Sequence, residues 1–129
     1  FEVPSHYEIT VNGRKLIGSA QVRRHQGVLQ HGSLPLHGDL GRIADALAFV
    51  DETGREAARA AVRARAITLF EALGGKTVEW AEAAAAMLQG FSNLFDVELV
   101  TGGLTDSEQS RANELYGSRY ANSEWTTRR

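Results

Sequence analysis

The 129-residue sequence has no cysteine. Disulfides, thiolate metal sites and a cysteine nucleophile within these residues are therefore excluded. With only two prolines, turns and helix ends must be set mainly by glycine and by Asp, Asn and Thr caps. Charge of one sign is lacking too. The 14 Lys and Arg are offset by 16 Asp and Glu, for a net −2, so no basic excess draws the chain to nucleic acid or to an anionic membrane, and neither is an expected partner. No apolar run reaches the roughly 20 residues of a membrane span. The opening "FEVPSHYEIT" lacks the basic-then-apolar order of a signal peptide. It also lacks an initiator Met, so Phe1 is not expected to be the natural start. What remains is the pattern of a globular, cytoplasmic segment about one domain long.

What is there falls into two regimes. The front third reads as sheet. Residues 7–11 (Tyr-Glu-Ile-Thr-Val) alternate with period two. Asn12-Gly13 follows, a strong hairpin signal because both residues tolerate positive φ. Residues 15–23 return antiparallel, His25-Gln26-Gly27 turns again, and residues 28–34 form a third strand that Pro35 helps to stop. The remainder reads mostly as helix. Asp39 caps a segment to about Val50, where "DETG" breaks it. "REAARAAVRARA" is helical. Thr68 and Glu71 fit a capping box for a short helix closed by Gly74-Gly75. Thr77 caps the longest helix, to about Phe95, with Ala81, Ala84, Ala85, Leu88 and Phe91 on one stripe. Residues 96–100 read as a short strand and Gly102-Gly103 as a turn. Thr105 and Glu108 fit a second capping box, for a helix to about Tyr116. The fold class is α+β: an antiparallel hairpin meander at the N-terminus packed against several helices.

Four features bear on chemistry. Lys15 stands in a strand, on the face of Ile17 and Ser19 if the alternation is regular, opposite Arg14, Leu16 and Gly18. It is either a solvent-face lysine or an ammonium drawn inward toward an anionic or carbonyl partner. Gly18-Ser19-Ala20 strips the strand of bulk, which suits a close approach by a ligand or a crossing helix. Gly18 also suggests a bulge that re-aims Lys15. Gln30-His31-Gly32-Ser33 is a polar quartet in a β-rich run, read as a strand end or as a hydrogen-bonding shelf beside Lys15. Arg55, Arg59 and Arg63, four apart, read as a solvated helix face. His25, His31 and His37 recur every six residues, but turns intervene and no carboxylate spacing supports a metal site. Gly74-Gly75-Lys76 is too little for a phosphate loop.

Together, "VNGRKLIGSAQ" and "LQHGS" resemble the central hairpin of the biotin/lipoate A/B protein ligase superfamily, the octanoyltransferases and lipoate-protein ligases. "LTDSEQSRANELYGSRYANSEWTTRR" is similar to that family's C-terminal end. The resemblance implies that residues 1–129 are the C-terminal part of a biotin/lipoyl ligase-like catalytic domain whose N-terminal half is missing. It assigns the family's lysine to Lys15, stabilising oxygen charge during acyl transfer. It places Gly18, Ser19, Ala20, Gln21, Gln30, His31 and Gly32 around the substrate. It also sets the octanoyltransferase cysteine immediately before Phe1.

The implied function is transfer of an octanoyl or lipoyl group from acyl carrier protein to a lysine of a lipoyl domain, through a cysteine thioester. An ATP-dependent lipoate-protein ligase, or its accessory part, is the alternative, and ATP is expected only in that case. A non-catalytic module that docks acidic carrier or lipoyl domains through Arg14, Arg23 and Arg24 is the third. No covalently bound cofactor and no metal are expected, only lipoate or octanoate as the transferred group. The implied partners are the enzyme's own N-terminal half, acyl carrier protein, and lipoyl domains such as the glycine-cleavage H protein or 2-oxoacid dehydrogenase subunits.

Overall fold

A computed structural model describes residues 8–25 and 27–128. Phe1, Tyr7 at the head of the expected first strand and Gln26 in the expected second turn lie outside the described residues. The chain divides into two compact units, residues 1–87 and 88–129.

The first unit opens with a three-stranded antiparallel sheet in the order β1 (Ile9–Val11), β2 (Arg14–Arg24), β3 (Gly27–Ser33). Asn12 and Gly13 take φ of 50° and 74°, the two left-handed residues a tight hairpin turn demands. The polar quartet does not end the third strand early, because β3 runs through Gln30, His31 and Gly32 to Ser33.

The β1–β2 register is irregular at one point. Thr10 faces Lys15, yet Ile9 faces Ile17. Two steps along β2 match one along β1, so Leu16 has no opposite residue. An inserted residue reverses the phase of the side chains beyond it. The regular alternation expected from the sequence therefore fails here. Gly18, not Ile17, lies beneath Lys15, and a Cβ at Gly18 would stand 3.3 Å from Lys15 Cε.

After β3 the chain enters a 3-10 helix (Leu40–Ala46), with Asp39 Oδ1 accepting from Gly41 N at 2.9 Å. It stops well short of Val50, since 3-10 geometry sustains only short runs. "DETG" is not a break. Asp51 is the N-cap of α1 (Glu52–Arg65), its Oδ1 accepting from Gly54 N at 2.8 Å, and Glu52-Thr53-Gly54 form the first turn. The capping box at Thr68 is present and opens α2 (Leu69–Ala72), closed by Gly74 and Gly75 at positive φ.

Two backbone links bind this unit together. Leu69 N and Phe70 N, at the head of α2, donate to Pro35 O and Leu36 O, each at 2.8 Å. Ile67 N donates to Lys15 O at 3.0 Å. Ile67 and Thr68 between these links are buried, as is Ala44 of the 3-10 helix.

α3 (Trp80–Phe95) begins three residues later than Thr77. Glu79 stands at its head, its carbonyl accepting from Ala83 N. In the second unit Asp96 ends α3 at φ 50°, and Ser92 Oγ donates to Val97 O at 2.6 Å. That closure uses the backbone which a strand at residues 96–100 would have paired. Residues 97–104 are irregular, without the turn expected at Gly102-Gly103. The second capping box is present, Thr105 with Glu108, and starts α4 (Asp106–Leu115). A π-helical turn (Tyr116–Tyr120) and α5 (Ser123–Thr126) follow, with Tyr120 and Trp125 meeting edge-on at 5.0 Å.

Candidate functional site

Lys15 is fixed from both sides. Across one edge of β2 it faces Thr10 of β1. Across the other it bridges Ala66 in parallel, through the Ile67 N bond to its carbonyl. Its stem passes over the bare Cα of Gly18. Its ammonium meets the Glu8 carboxylate in an ion pair, the two side chains 19% and 16% exposed. The solvent-face reading of Lys15 does not describe this geometry.

Two clefts meet at this lysine. The larger, about 790 Å³, is bounded by Lys15, Leu16 and Gly18 of β2, by residues 33–35, and by the 3-10 helix, with Val62 and Ala66 behind. Its wall is chiefly apolar, from Leu34, Leu40, Ile43 and Val62. That is the character of a pocket for an aliphatic group with one polar end. The smaller, about 350 Å³, lies on the Glu8 side and is lined by Thr10, Gly13, Arg65 and the small residues Ala58, Ala61 and Ala64 of α1.

The arginines of α1 brace the 3-10 helix that forms one wall of the larger cleft. Arg55 donates to Ala44 O at 2.7 Å. Arg59 pairs with Asp45 and with Glu52 and Glu56. Arg63 grips Asp39 with two parallel bonds of 2.9 and 2.7 Å. The face expected to be solvated is thus a clasp that holds the 3-10 helix. The Arg63 guanidinium, aided by Gly41 N–H, keeps the Asp39 carboxyl well below its usual range. Arg59 lowers Asp45 in the same way. A further carboxylate, Glu71, is lowered first by the Thr68 backbone N–H of its capping box, and Arg14 stands 3.7 Å away. Sequence reasoning missed the clasp. The acids Asp39 and Asp45 and the three arginines are plain in the sequence, but nothing in their spacing pairs them across two elements.

Of the residues expected around the substrate, Lys15 and Gly18 line the larger cleft, joined by Ser33. Ser19, Ala20, Gln21, Gln30, His31 and Gly32 line neither cleft. They continue the β2–β3 ladder, paired Ser19 with Gly32, Ala20 with His31 and Gln21 with Gln30, with Gln21 Nε2 donating to Gln30 Oε1 at 2.8 Å. Among the described residues no cluster of three or more His, Cys, Asp or Glu side chains converges as a metal site, and no helix is long and apolar enough to cross a membrane.

Comparison with known proteins bears on the family and the fold. Residues 1–92 match the family described as the lipoyl protein ligase A/B catalytic domain. The octanoyltransferase LipM of Moorella thermoacetica is 42% identical over 131 aligned positions, covering all of this chain and 46% of the relative. That of Brevibacillus brevis is 37% identical over 129, with the same coverage of each chain. The chain thus spans about half the length of the curated relatives it matches. Among solved structures, a bipartite lipoate protein ligase from Thermoplasma acidophilum, studied with its E2 lipoyl domain, superposes with a TM-score of 0.81 at 26% identity, over 95% of this chain and 48% of that one.

Proposed function

Because the chain belongs to the lipoyl protein ligase A/B catalytic domain family, we propose that it is the acyl-polarising part of an octanoyltransferase that serves protein lipoylation. The complete enzyme takes an octanoyl group from acyl carrier protein and passes it to a lysine of a lipoyl domain. The observation that carries this reading is Lys15. Its ammonium is held at the junction of two clefts, one of them apolar and large enough for a medium aliphatic chain. An acyl carbonyl drawn to that junction develops negative oxygen charge when its carbon is attacked. A fixed cation on a side chain mostly shielded from water stabilises that charge more than it stabilises the ground state.

The nucleophile belongs to the complementary half of the enzyme. That half also covers apolar side chains which this chain leaves exposed, such as Val28 and Leu29 of β3. The lipoyl-domain acceptor is supported by the likeness to a lipoate ligase studied with such a domain.

The complete enzyme, supplied with octanoyl carrier protein and a lipoyl domain but no ATP, is expected to octanoylate the domain, read by intact-protein mass spectrometry. Lys15→Met is expected to lower kcat about 10²–10³-fold, the usual cost of one oxyanion-stabilising group. The same fold serves the Thermoplasma ligase, so ATP-dependent ligation is the competing reading. Modification that occurs only with free octanoate or lipoate plus ATP would establish it instead.

A further inference from the structure

A lysine that stabilises a transition state must have its ammonium in place before charge develops. Its four-carbon stem works against this, since each rotatable bond is freedom to be lost. The backbone of Lys15 is pinned on both edges of β2, but that fixes only the Cα. Two features of the hairpin act on the rest of the side chain.

The first is the irregular register at Leu16. By shifting the phase of β2 it brings Gly18 beneath Lys15, and the missing Cβ of Gly18 makes the bed for the stem. The second is Glu8, two residues before Thr10, which faces Lys15. On an extended strand alternate residues share a face, so Glu8 reaches the ammonium from the same side. Both side chains are mostly shielded from water. A shielded ammonium without a counter-charge is costly, and a carboxylate in contact removes that cost.

Among the described residues, other charged groups also line the two clefts. Asp39 is held by Arg63 and Asp45 by Arg59. His37 and Arg42 line the larger cleft, and Arg65 lines the smaller.

We propose that Glu8 is a positioning residue for Lys15: its carboxylate anchors the ammonium at the junction of the two clefts, over the gap left by Gly18, so that the cation is pre-aimed at the acyl oxygen. This rests on the acyl-transfer reading of Lys15. Glu8 forms no bond to the substrate and acts only through the lysine.

The test is a double-mutant cycle in the complete enzyme: Glu8→Gln, Lys15→Met, the pair together, and Glu8→Asp. Turnover is measured with octanoyl carrier protein, and separately with octanoate plus ATP. Glu8→Gln keeps the shape and removes the charge. It is expected to lower kcat about tenfold with KM for the acyl donor unchanged. Glu8→Asp is expected to recover most of that loss. In the Lys15→Met background, Glu8→Gln is expected to cost nothing further, because the group it positions is gone.

Wild-type kcat in Glu8→Gln, beside a Lys15→Met variant that has lost activity, would overturn the assignment of Glu8 alone. So would a tenfold loss that persists in the Lys15→Met background, which marks a merely structural role. Full turnover in Lys15→Met would sink the acyl-transfer reading and this inference with it. If Glu8→Gln does not fold, Glu8→Ala decides. A reduced kcat at unchanged KM that disappears against Lys15→Met supports the proposal, and wild-type kcat overturns it.

Discussion

Gly18 and Gly32 sit on neighbouring strands, yet they fail differently when filled. A Cβ at Gly18 would approach the Lys15 Cε to 3.3 Å, and that neighbour is near the far end of a long side chain that can give by a few tenths of an ångström. Gly18→Ala should therefore leave the melting temperature of the complete enzyme almost unchanged while lowering kcat about tenfold, since the displaced atoms carry the ammonium. Equal loss of stability and activity would argue against this. A Cβ at Gly32 would stand 2.6 Å from Gly18 O, with Ser19 Cα at 3.4 Å. Those neighbours are backbone, and only a shift of the β2–β3 ladder relieves the clash. Gly32→Ala should cost about 1–3 kcal/mol, the usual penalty of overpacking, read by urea denaturation. Sequence alone marked Gly18 as a site of close approach and Gly32 only as part of a polar quartet. It could not say that Lys15 itself occupies the space over Gly18, because that depends on the one-residue register shift at Leu16, which no periodicity encodes.

Among the elements, the caps were the most legible. Asp39, Thr68 and Thr105 are N-caps in the structure, because a cap is a local contest between one side-chain oxygen and a few N–H groups. Thr68→Ala should cost about 1 kcal/mol or somewhat more, as Thr68 is buried and its loss strands a Glu71 partner. The role of the α1 arginines was illegible for the opposite reason. Arg59 and Arg63 reach 14 and 24 residues back to Asp45 and Asp39, and helical spacing says nothing of what lies opposite. These contacts carry a pH signature. The Asp39 and Asp45 carboxyls are lowered from an ordinary 3.8, and Glu71 from 4.5. Each is more readily ionised folded than unfolded, so its contribution is full above the unfolded-state range and is lost as pH falls through it and below. The melting temperature should hold from pH 7 to about 5 and then decline below roughly pH 4.5. Arg63→Ala should lessen that decline, and it should also speed amide exchange in residues 40–46, the wall of the larger cleft. An unchanged acid limb in Arg63→Ala would mean that the Asp39 pair contributes nothing to it.

Across the molecule, the sheet does two jobs along its length. Near Lys15 it is covered by the Ala66–Ile67 backbone. Beyond Gly18 and Ser33 it continues as a two-stranded arm with Val22, Val28 and Leu29 exposed. The α+β class could be read from sequence because the change from period two to period 3.6 is abrupt. The arm's isolation could not, because an exposed ladder and a covered one alternate alike. At its end the arm carries Arg23 and Arg24, with Arg23 Nε donating to Gln21 Oε1 at 2.6 Å. A basic tip on an exposed arm is suited to meeting an acidic carrier or lipoyl domain, and charges at the rim of such a contact act on the rate of encounter more than on the bound chemistry. In the complete enzyme, Arg23→Glu with Arg24→Glu should raise KM for the acidic partner several-fold and leave kcat within a factor of about two. The difference from wild type should shrink as salt rises from about 0.05 to about 0.5 M, where screening shortens the reach of surface charge to a few ångströms. Lys15→Met should behave in the converse way, with kcat lost, KM held and no dependence on salt. An Arg23→Glu, Arg24→Glu variant whose KM matches wild type at low salt would move partner docking off this arm without bearing on the role proposed for Lys15.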